Sequence, residues 1–197
     1  MIQALIGAGG HAREVCAHMG LNLPMFVEEK YYKKNTYNML PLSIFDPGEY
    51  EVMVAIGDCA VKRRLIEEVL PSNTKYFTYI HPSAIVMDKN IHIGNGVFIG
   101  AGCLLTTNIT IEDHVILNRY VQISHDSVIG KYCSLMPGVV LSGDVTLGNS
   151  VFIGSNSCVR EKTAICSDVI IGLNSGVVKN IIVPGTYVGT PALLKKT

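Results

Sequence analysis

Charge is scarce in this chain. Only 16% of its 197 residues are Asp, Glu, Lys or Arg, and the 16 basic side chains balance the 16 acidic ones. No basic run stands out, which argues against a nucleic-acid partner. No uninterrupted apolar run approaches the roughly 20 residues of a membrane span, so no membrane partner is expected. The opening MIQALIGAGG has no basic segment and no long apolar one, and a signal peptide is not expected. The six cysteines form no C-x-x-C pair. That favours reduced thiols in a cytoplasmic protein.

What the chain does have is aliphatic side chains on a fixed step. Counting by six from Met87 gives Ile93, Ile99, Leu105, Ile111 and so on, without a break, to Ile171, Val177 and Val183. A period of six is neither that of a helix nor that of a simple strand. It is the signature of a parallel β-helix built of hexapeptides, three to each triangular coil of about 18 residues. The aliphatic residue faces inward. So does the position four later, which is small or β-branched from Val97 and Cys103 through Ser127 and Cys133 to Ile181. The next residue after the aliphatic one is often glycine (Gly94, Gly100, Gly130, Gly148, Gly154, Gly172), which predicts corners with unusual backbone dihedrals. At a strand spacing of about 4.8 Å, some five and a half coils make a prism roughly 25 Å tall.

Residues 1–80 read as a separate unit. Ala4-Leu5-Ile6 is a strand running into Gly7-Ala8-Gly9-Gly10-His11-Ala12, then a helix to about Met19. Met25–Val27 is a second strand, Val52–Gly57 a third and Tyr76–Ile80 a fourth. A helix spans Val61–Leu70, and 31–50 reads as loop. Alternating strands and helices predict a small parallel α/β sheet, a Rossmann-like half domain. The turn fits G-x-G-x-x-A, whose glycines let a phosphate or sugar approach a helix N-terminus. Glu28 and Glu29 follow Gly7 by 21 and 22 residues, where an acidic side chain accepts hydrogen bonds from a ribose or base. His11 opens the helix within reach of such a ligand. With half a fold, a nucleotide-linked substrate suits the turn better than NAD; a tight turn with no ligand is the alternative. His81-Pro82 links this unit to the prism, whose first coil is expected near Ile85.

Within the prism the chemistry centres on Ser124-His125-Asp126. His125 follows an inward aliphatic residue by two places, so it lies at a corner and faces out. Asp126 is placed to hold the imidazole tautomer. One coil later, Gly143 stacks over His125 and leaves an amide open to an acyl carbonyl. Ser124 and Ser127 lack a base-and-orienter arrangement, and Ser127 faces the core, which favours direct transfer over a covalent intermediate. His92, His114 and His125 share no one-coil relation, so no metal site is expected, and His114 reads as a solvated turn residue.

GAGGHAREV, FVEE, AIGD, HPSAIV, ISHDSVIG, LMPGVVLSGDVTLG and YVGTPA occur in that order. Together they resemble the sialic acid O-acetyltransferase-type, or nucleotide-amino-sugar N-acetyltransferase, family. The resemblance implies a left-handed prism, against the usual crossover hand, and a homotrimer with acetyl-CoA between neighbouring prisms. It divides the chain into a nucleotide-sugar-binding domain (1–80) and an acetyltransferase domain (81–197) with a C-terminal coenzyme-covering loop. It makes His125 the general base and Asp126 its partner. Acetyl-CoA falls to Ser134, Gly143, Ser155, Leu173, Val188, Gly189, Thr190, Pro191 and Lys195 or Lys196, and the nucleotide sugar to Gly9, Gly10, His11, Glu28, Glu29, Gly57 and Asp58. The implied activity is acetyl-CoA-dependent N-acetylation of a nucleotide-linked amino sugar, of 4-amino-dideoxy type. O-acetylation of sialic acid or a related sugar is the alternative, and a non-catalytic sugar-nucleotide-binding or scaffold trimer a further one. Many relatives carry a second histidine where this chain has Ser134.

Overall fold

The structure, a computed structural model, describes every residue except Asn35, Tyr37, Lys196 and Thr197. In the N-terminal unit β1 (Ile2–Ile6) leads into α1 (Gly10–Met19), β2 (Met25–Val27), β3 (Met39–Pro41), β4 (Tyr50–Val54), α2 (Cys59–Arg64) and β5 (Lys75–Tyr76). All five strands are parallel, in the order β3-β2-β1-β4-β5. α1 starts at Gly9 with no side-chain cap and no acidic residue in its first turn, so its leading amides are open. It stops at Gly20, whose left-handed backbone lets its N–H close on Ala17 and Cys16. α2 is capped by Asp58 and widens into a π turn over Leu65–Val69.

Two expectations change here. The 31–50 segment is not plain loop, since β3 adds an edge strand, Met25 pairing with Met39; three residues are too few to show an alternation. The expected fourth strand is split. Lys75–Tyr76 ends the N-terminal sheet, whereas Tyr79–Ile80 pairs with Phe98–Ile99 as the first rung of the prism. The prism therefore starts before His81.

The prism is a parallel β-helix of two-residue strands. On its first face Tyr79–Ile80, Phe98–Ile99, Ile116–Leu117, Ser134–Leu135 and Phe152–Ile153 stack in turn. The second face contains Gln122–Ile123 and Val140–Leu141, the third Val128–Ile129 and Thr146–Leu147. Both inward series fill the core. The aliphatic series is at most 2% exposed from Ile99 to Val177, and the second series at most 5% exposed throughout. Each such aliphatic side chain contributes roughly 1.5–3 kcal/mol of burial. Met87 and Val183, at the ends of the series, are 67% and 52% exposed because no complete coil covers them.

The corners turn by a different device from the one the glycines suggested. Every sixth residue from Gly96 to Asn174 has φ between 52° and 73°, and most are not glycine: Asn108, His114, Tyr120, Asp126, Tyr132 and Asp144 are examples. This left-handed conformation turns the N–H toward the coil below, as in His114 to Asn95 O (2.8 Å) and Asp144 to His125 O (2.8 Å). Gly94, Gly100, Gly130, Gly148, Gly154 and Gly172 have no such φ. Glycine is needed there for space. A Cβ on Gly100 would meet Arg119 N at 2.9 Å, and one on Gly130 would meet Gly148 C at 2.6 Å.

The N-terminal unit docks on the first face. Phe98 and Ile116, which face outward from the prism, join Leu5, Ala12, Met53 and Ala55 in one apolar cluster. Tyr79 donates its hydroxyl hydrogen to His18 O at 2.6 Å, and Arg119 pairs with Glu14 at 3.1 Å. At the centre is Lys62, wholly buried, whose Nζ donates to Ser134 Oγ (2.9 Å) and Cys133 O (3.2 Å). Burial without a carboxylate partner pushes its pKa down to about 8. Among the described residues no helix is long and apolar enough to cross a membrane.

Two predictions follow from corner and dock. Gly100→Ala is expected to destabilise by about 1–3 kcal/mol. Lys162→Gly, at an exposed corner with φ 57°, is expected to be neutral or stabilising by about 1 kcal/mol. Chemical denaturation of both variants checks the pair. For Lys62, the unfolded chain binds the proton more tightly than the folded one. Stability is therefore expected to rise as pH climbs from about 8 to about 10.5, and the buried charge costs on the order of 3 kcal/mol below that window. Lys62→Met should flatten this rise and be no less stable at pH 7, as read by denaturant titrations at both pH values.

Candidate active site and substrate cavity

His125 stands at the corner where Gln122–Ile123 of the second face passes to Val128–Ile129 of the third. Its side chain is 59% exposed. Nδ1 lies 2.7 Å from Asp126 Oδ2. Asp126 takes the left-handed corner conformation (φ 62°). Its other oxygen accepts from Asn108 Nδ2 at 2.6 Å, one coil below. That hydrogen bond, and then the one from His125, hold the Asp126 carboxyl below its ordinary pKa. An ionised carboxylate only accepts, so Nδ1 carries the proton and Nε2 is left as the base.

Gly143 lies against that free edge. A Cβ there would sit 2.5 Å from both His125 Nε2 and Cε1, so only glycine leaves the imidazole in place. The Gly143 N–H has no hydrogen-bond partner among the described residues. A proton acceptor and an unused amide donor thus occupy one corner. Asn108 was missed by the sequence reading, although its one-coil offset from Asp126 was available to find it.

The second centre is a cavity of about 410 Å³ above the C-terminal edge of the N-terminal sheet. Gly7–His11, Glu28, Tyr31, Met39, Ile56 and Gly57 line it. Gly7 is required by its backbone (φ 106°) and by Ile56 Cγ1, 2.8 Å from where a Cβ would lie. Gly9 and Gly10 face open space, with nothing within 4 Å of a built Cβ. The fold makes no packing demand for glycine at either position. His11 is largely buried, edge-on to Phe98 (5.1 Å) with Nδ1 3.5 Å from Glu14, and burial lowers its pKa. Glu28 is held by Arg64 (2.7 Å) and Lys30 (3.6 Å); the Arg64 hydrogen bond is the largest cause of its lowered pKa.

Several expected site residues lie elsewhere. Glu29 turns out of the cavity, where its Oε1 accepts from Ser43 N at 2.9 Å. Asp58 caps α2 by accepting from Val61 N (2.9 Å) and borders a separate cleft with Ser150 and Phe152. Ser134 is fully buried under Lys62 and has no open surface for a coenzyme. His114 is not solvated: it is 7% exposed, stacked on Tyr132 at 5.6 Å, and burial pushes its pKa down to about 4.

The remaining expected coenzyme residues gather at a different corner from His125. Ser155 and Leu173 stack between the first and second faces, joined by Asn174 N to Ser155 O at 2.9 Å. Val188–Pro191 cross the same corner, Gly189 accepting from Gly176 N (3.0 Å) and donating to Ser175 Oγ (3.1 Å). Lys195 follows the terminal hairpin, its N–H bonded to Thr186 O; Lys196 lies outside the described residues. One chain therefore does not bring His125 together with Val188–Pro191, nor with the cavity on the far side of the docked unit.

Residues 4–69 match the PglD N-terminal domain, and 108–143 match the bacterial transferase hexapeptide of six repeats. The acetyltransferase domain of PglB from Neisseria gonorrhoeae aligns over 98% of both chains, with 26% identity and a TM-score of 0.85. PerB from Caulobacter crescentus, solved with CoA and GDP-perosamine, aligns over all of this chain and 98% of its own, with 26% identity and a TM-score of 0.85. WeeI from Acinetobacter baumannii shares the fold at 23% identity, covering 98% of this chain and 99% of its own, with a TM-score of 0.87. The chain thus carries a PglD N-terminal domain followed by bacterial transferase hexapeptide repeats, and it is similar over its whole length to left-handed β-helix acetyltransferases that act on nucleotide-linked amino sugars.

Proposed function

We propose that this protein transfers the acetyl group of acetyl-CoA to the amine of a nucleotide-linked amino sugar, with His125 as general base. The observation that carries the reading is the His125–Asp126 pair seated against Gly143. PerB, a perosamine N-acetyltransferase, is a structural relative solved with both CoA and a nucleotide amino sugar.

The sugar amine attacks the thioester carbon while His125 Nε2 takes a proton from the nitrogen. Asp126, fixed by Asn108, stabilises the imidazolium through Nδ1–H. The Gly143 N–H donates to the developing oxyanion. Collapse of the tetrahedral species expels CoA as the thiolate, which the imidazolium proton neutralises. The nucleotide diphosphate rests on the open amides at the α1 N-terminus, where Gly9 and Gly10 leave room for it.

The cavity sits on the unit docked to the first face, and His125 projects from the corner opposite that face. The cavity that serves His125 is therefore a neighbour's. A homotrimer of prisms supplies this arrangement, with acetyl-CoA in the groove between His125 of one chain and Val188–Pro191 of the next.

His125→Ala is expected to lower CoA release from acetyl-CoA and the cognate amino sugar by at least about a hundredfold. Gly143→Ala should lower kcat by a similar order, because its methyl displaces the imidazole. Release with free sialic acid and with no amino sugar in a UDP-, dTDP- and GDP-linked panel would overturn the N-acetyl reading. Sharing of the site has its own test. Gly10→Glu places a carboxylate where the diphosphate rests, in space the fold leaves open. Inactive His125→Ala and inactive Gly10→Glu chains, refolded together, should regain activity in mixed trimers. No recovery despite mixed assembly would mean that each chain uses its own cavity.

A further inference from the structure

We infer that the contact between the N-terminal unit and the prism is a proton-operated latch: uptake of protons by His11, His18 and His114 releases the unit from the first face while both parts stay folded. The inference does not depend on which reaction the protein carries out.

Each of the three rings has one buried nitrogen with no hydrogen-bond partner among the described residues: His11 Nε2, His18 Nδ1 and His114 Nδ1. All three lie at the dock. His11 and His18 stand edge-on to Phe98, with ring centroids at 5.1 Å and 5.4 Å. His114 is held between Tyr76 of the unit (4.5 Å) and Tyr132 of the prism (5.6 Å). A neutral imidazole leaves one nitrogen as a bare lone pair. A protonated one carries an N–H at both, and here one of the two has no acceptor. The parts are free to separate because their cores do not mix. Ala4, Ile6, Phe26, Val52 and Val54 belong to a cluster wholly within the unit, and the inward series of the prism form another. Only the cluster that includes Phe98 and Ile116 spans the two, and only Phe77 and Thr78 join β5 to the first rung.

The charges around the rings oppose a second proton more than they attract it. Lys62 is already in the dock, and with a pKa of about 8 it is charged at pH 7. It repels charge on His11 and His114; His18 repels charge on His11, Lys131 on His114, and His81 and Arg119 on His18. His81 faces His18 ring to ring at 5.1 Å. Glu14 attracts charge on His11 and His18, and Asp113 on His114, but both carboxylates are engaged. Glu14 pairs with Arg119 at 3.1 Å, and Asp113 with Lys131 (3.0 Å) and Asn95 N (2.9 Å). Burial is the largest cause acting on each ring and lowers all three pKa values, to about 4 at His114. The docked rings therefore bind protons less well than released ones. The histidines leave docking undisturbed above about pH 6.5 and weaken it as pH falls below that value. A full return of His114 to the ordinary histidine pKa weakens docking by up to about three-hundredfold.

The cysteines report the two events separately. Cys59 is 6% exposed and its thiol donates to Val151 O of the prism at 3.6 Å, so it opens when the unit leaves. Cys103 and Cys133 are 0% exposed inside the prism and open only if the prism unfolds. Among the described residues helices occur only in the N-terminal unit, so helical circular dichroism reports whether that unit is folded. The full chain is labelled with a dipyridyl disulfide, which reacts in acid, from pH 7.5 to 5. Labelling of Cys59 relative to the exposed Cys158 should rise at least about tenfold, with Cys103 and Cys133 unlabelled and the helical signal unchanged. In the double variant His18→Phe, His114→Phe, which keeps the ring contacts, the rise should fall below about threefold. His114→Gln, neutral and smaller, should cut the rise at least about twofold and replaces the double variant if that chain already labels Cys103 or Cys133 at pH 7.5. A Cys59 that stays closed down to pH 5 would overturn the inference. So would labelling of Cys133 in step with Cys59, or loss of the helical signal in step with it, since either means unfolding rather than release. Release of the histidine variants at the wild-type pH would show that other groups work the contact, and would overturn it equally.

Discussion

The structure depends on one recurring strain, a left-handed residue at every sixth position. An L-residue held there costs about 1–2 kcal/mol in a repeated left-handed run, and less as an isolated Asn or Asp. From His114 to Asn174 each one sends an N–H to a backbone carbonyl of the coil below, and the two buried series on either side offset the cost. Because the step never varies from Gly96 to Asn174, residues one coil apart are forced into contact. That register builds the His125 corner without any long-range design. Asn108 lies beneath Asp126, and His125 lies against Gly143, because the chain closes a coil at the same length each time. Asp126 is itself one of the left-handed residues, so the residue that turns the corner also holds the His125 imidazole.

Much of this was legible because a period survives without knowledge of contacts. The core series and the stacking of Gly143 on His125 can be counted off the sequence. The glycines after the aliphatic positions were legible as special, but for the wrong cause. A sequence shows that a side chain is absent, and does not show whether dihedral or space excludes it; Gly100 against Arg119 is a matter of space. The residues at positive φ, such as Tyr120 and Lys162, were hidden because nothing in their chemistry favours that conformation. β3 was hidden by its length.

Lys62 was hidden for another reason. In a helix carrying Lys62-Arg63-Arg64 ahead of Glu67-Glu68, a lysine reads as part of a solvated, charged face. The structure buries it wholly, against a backbone carbonyl and Ser134 Oγ. It is the partner that accounts for Ser134, a position the resemblance had assigned to the coenzyme. A docked domain is invisible to a pattern read along one element at a time. The same holds for Phe98 and Ile116, which stand at outward positions of the prism and are nevertheless buried by the N-terminal unit.

That dock decides how the two halves of the chemistry meet. Lys62, Tyr79 and the shared apolar cluster fix the cavity over the first face, while the hexapeptide count fixes His125 at the edge between the other two. Neither constraint can relax toward the other. Moving the cavity to its own His125 would strip Phe98 and Ile116 of cover and leave the Lys62 ammonium without its two acceptors, whereas moving the base means changing the number of residues in a coil. The proposed assembly avoids both costs by letting the cavity meet His125 of another copy. The second face then runs between two half-sites, with His125 and Gly143 along one edge and Val188–Pro191 along the other, and a triangular prism that packs against two like itself brings unlike edges together. In the homotrimer proposed above, symmetry completes the active site, because each chain carries both halves at a separation its own fold does not close.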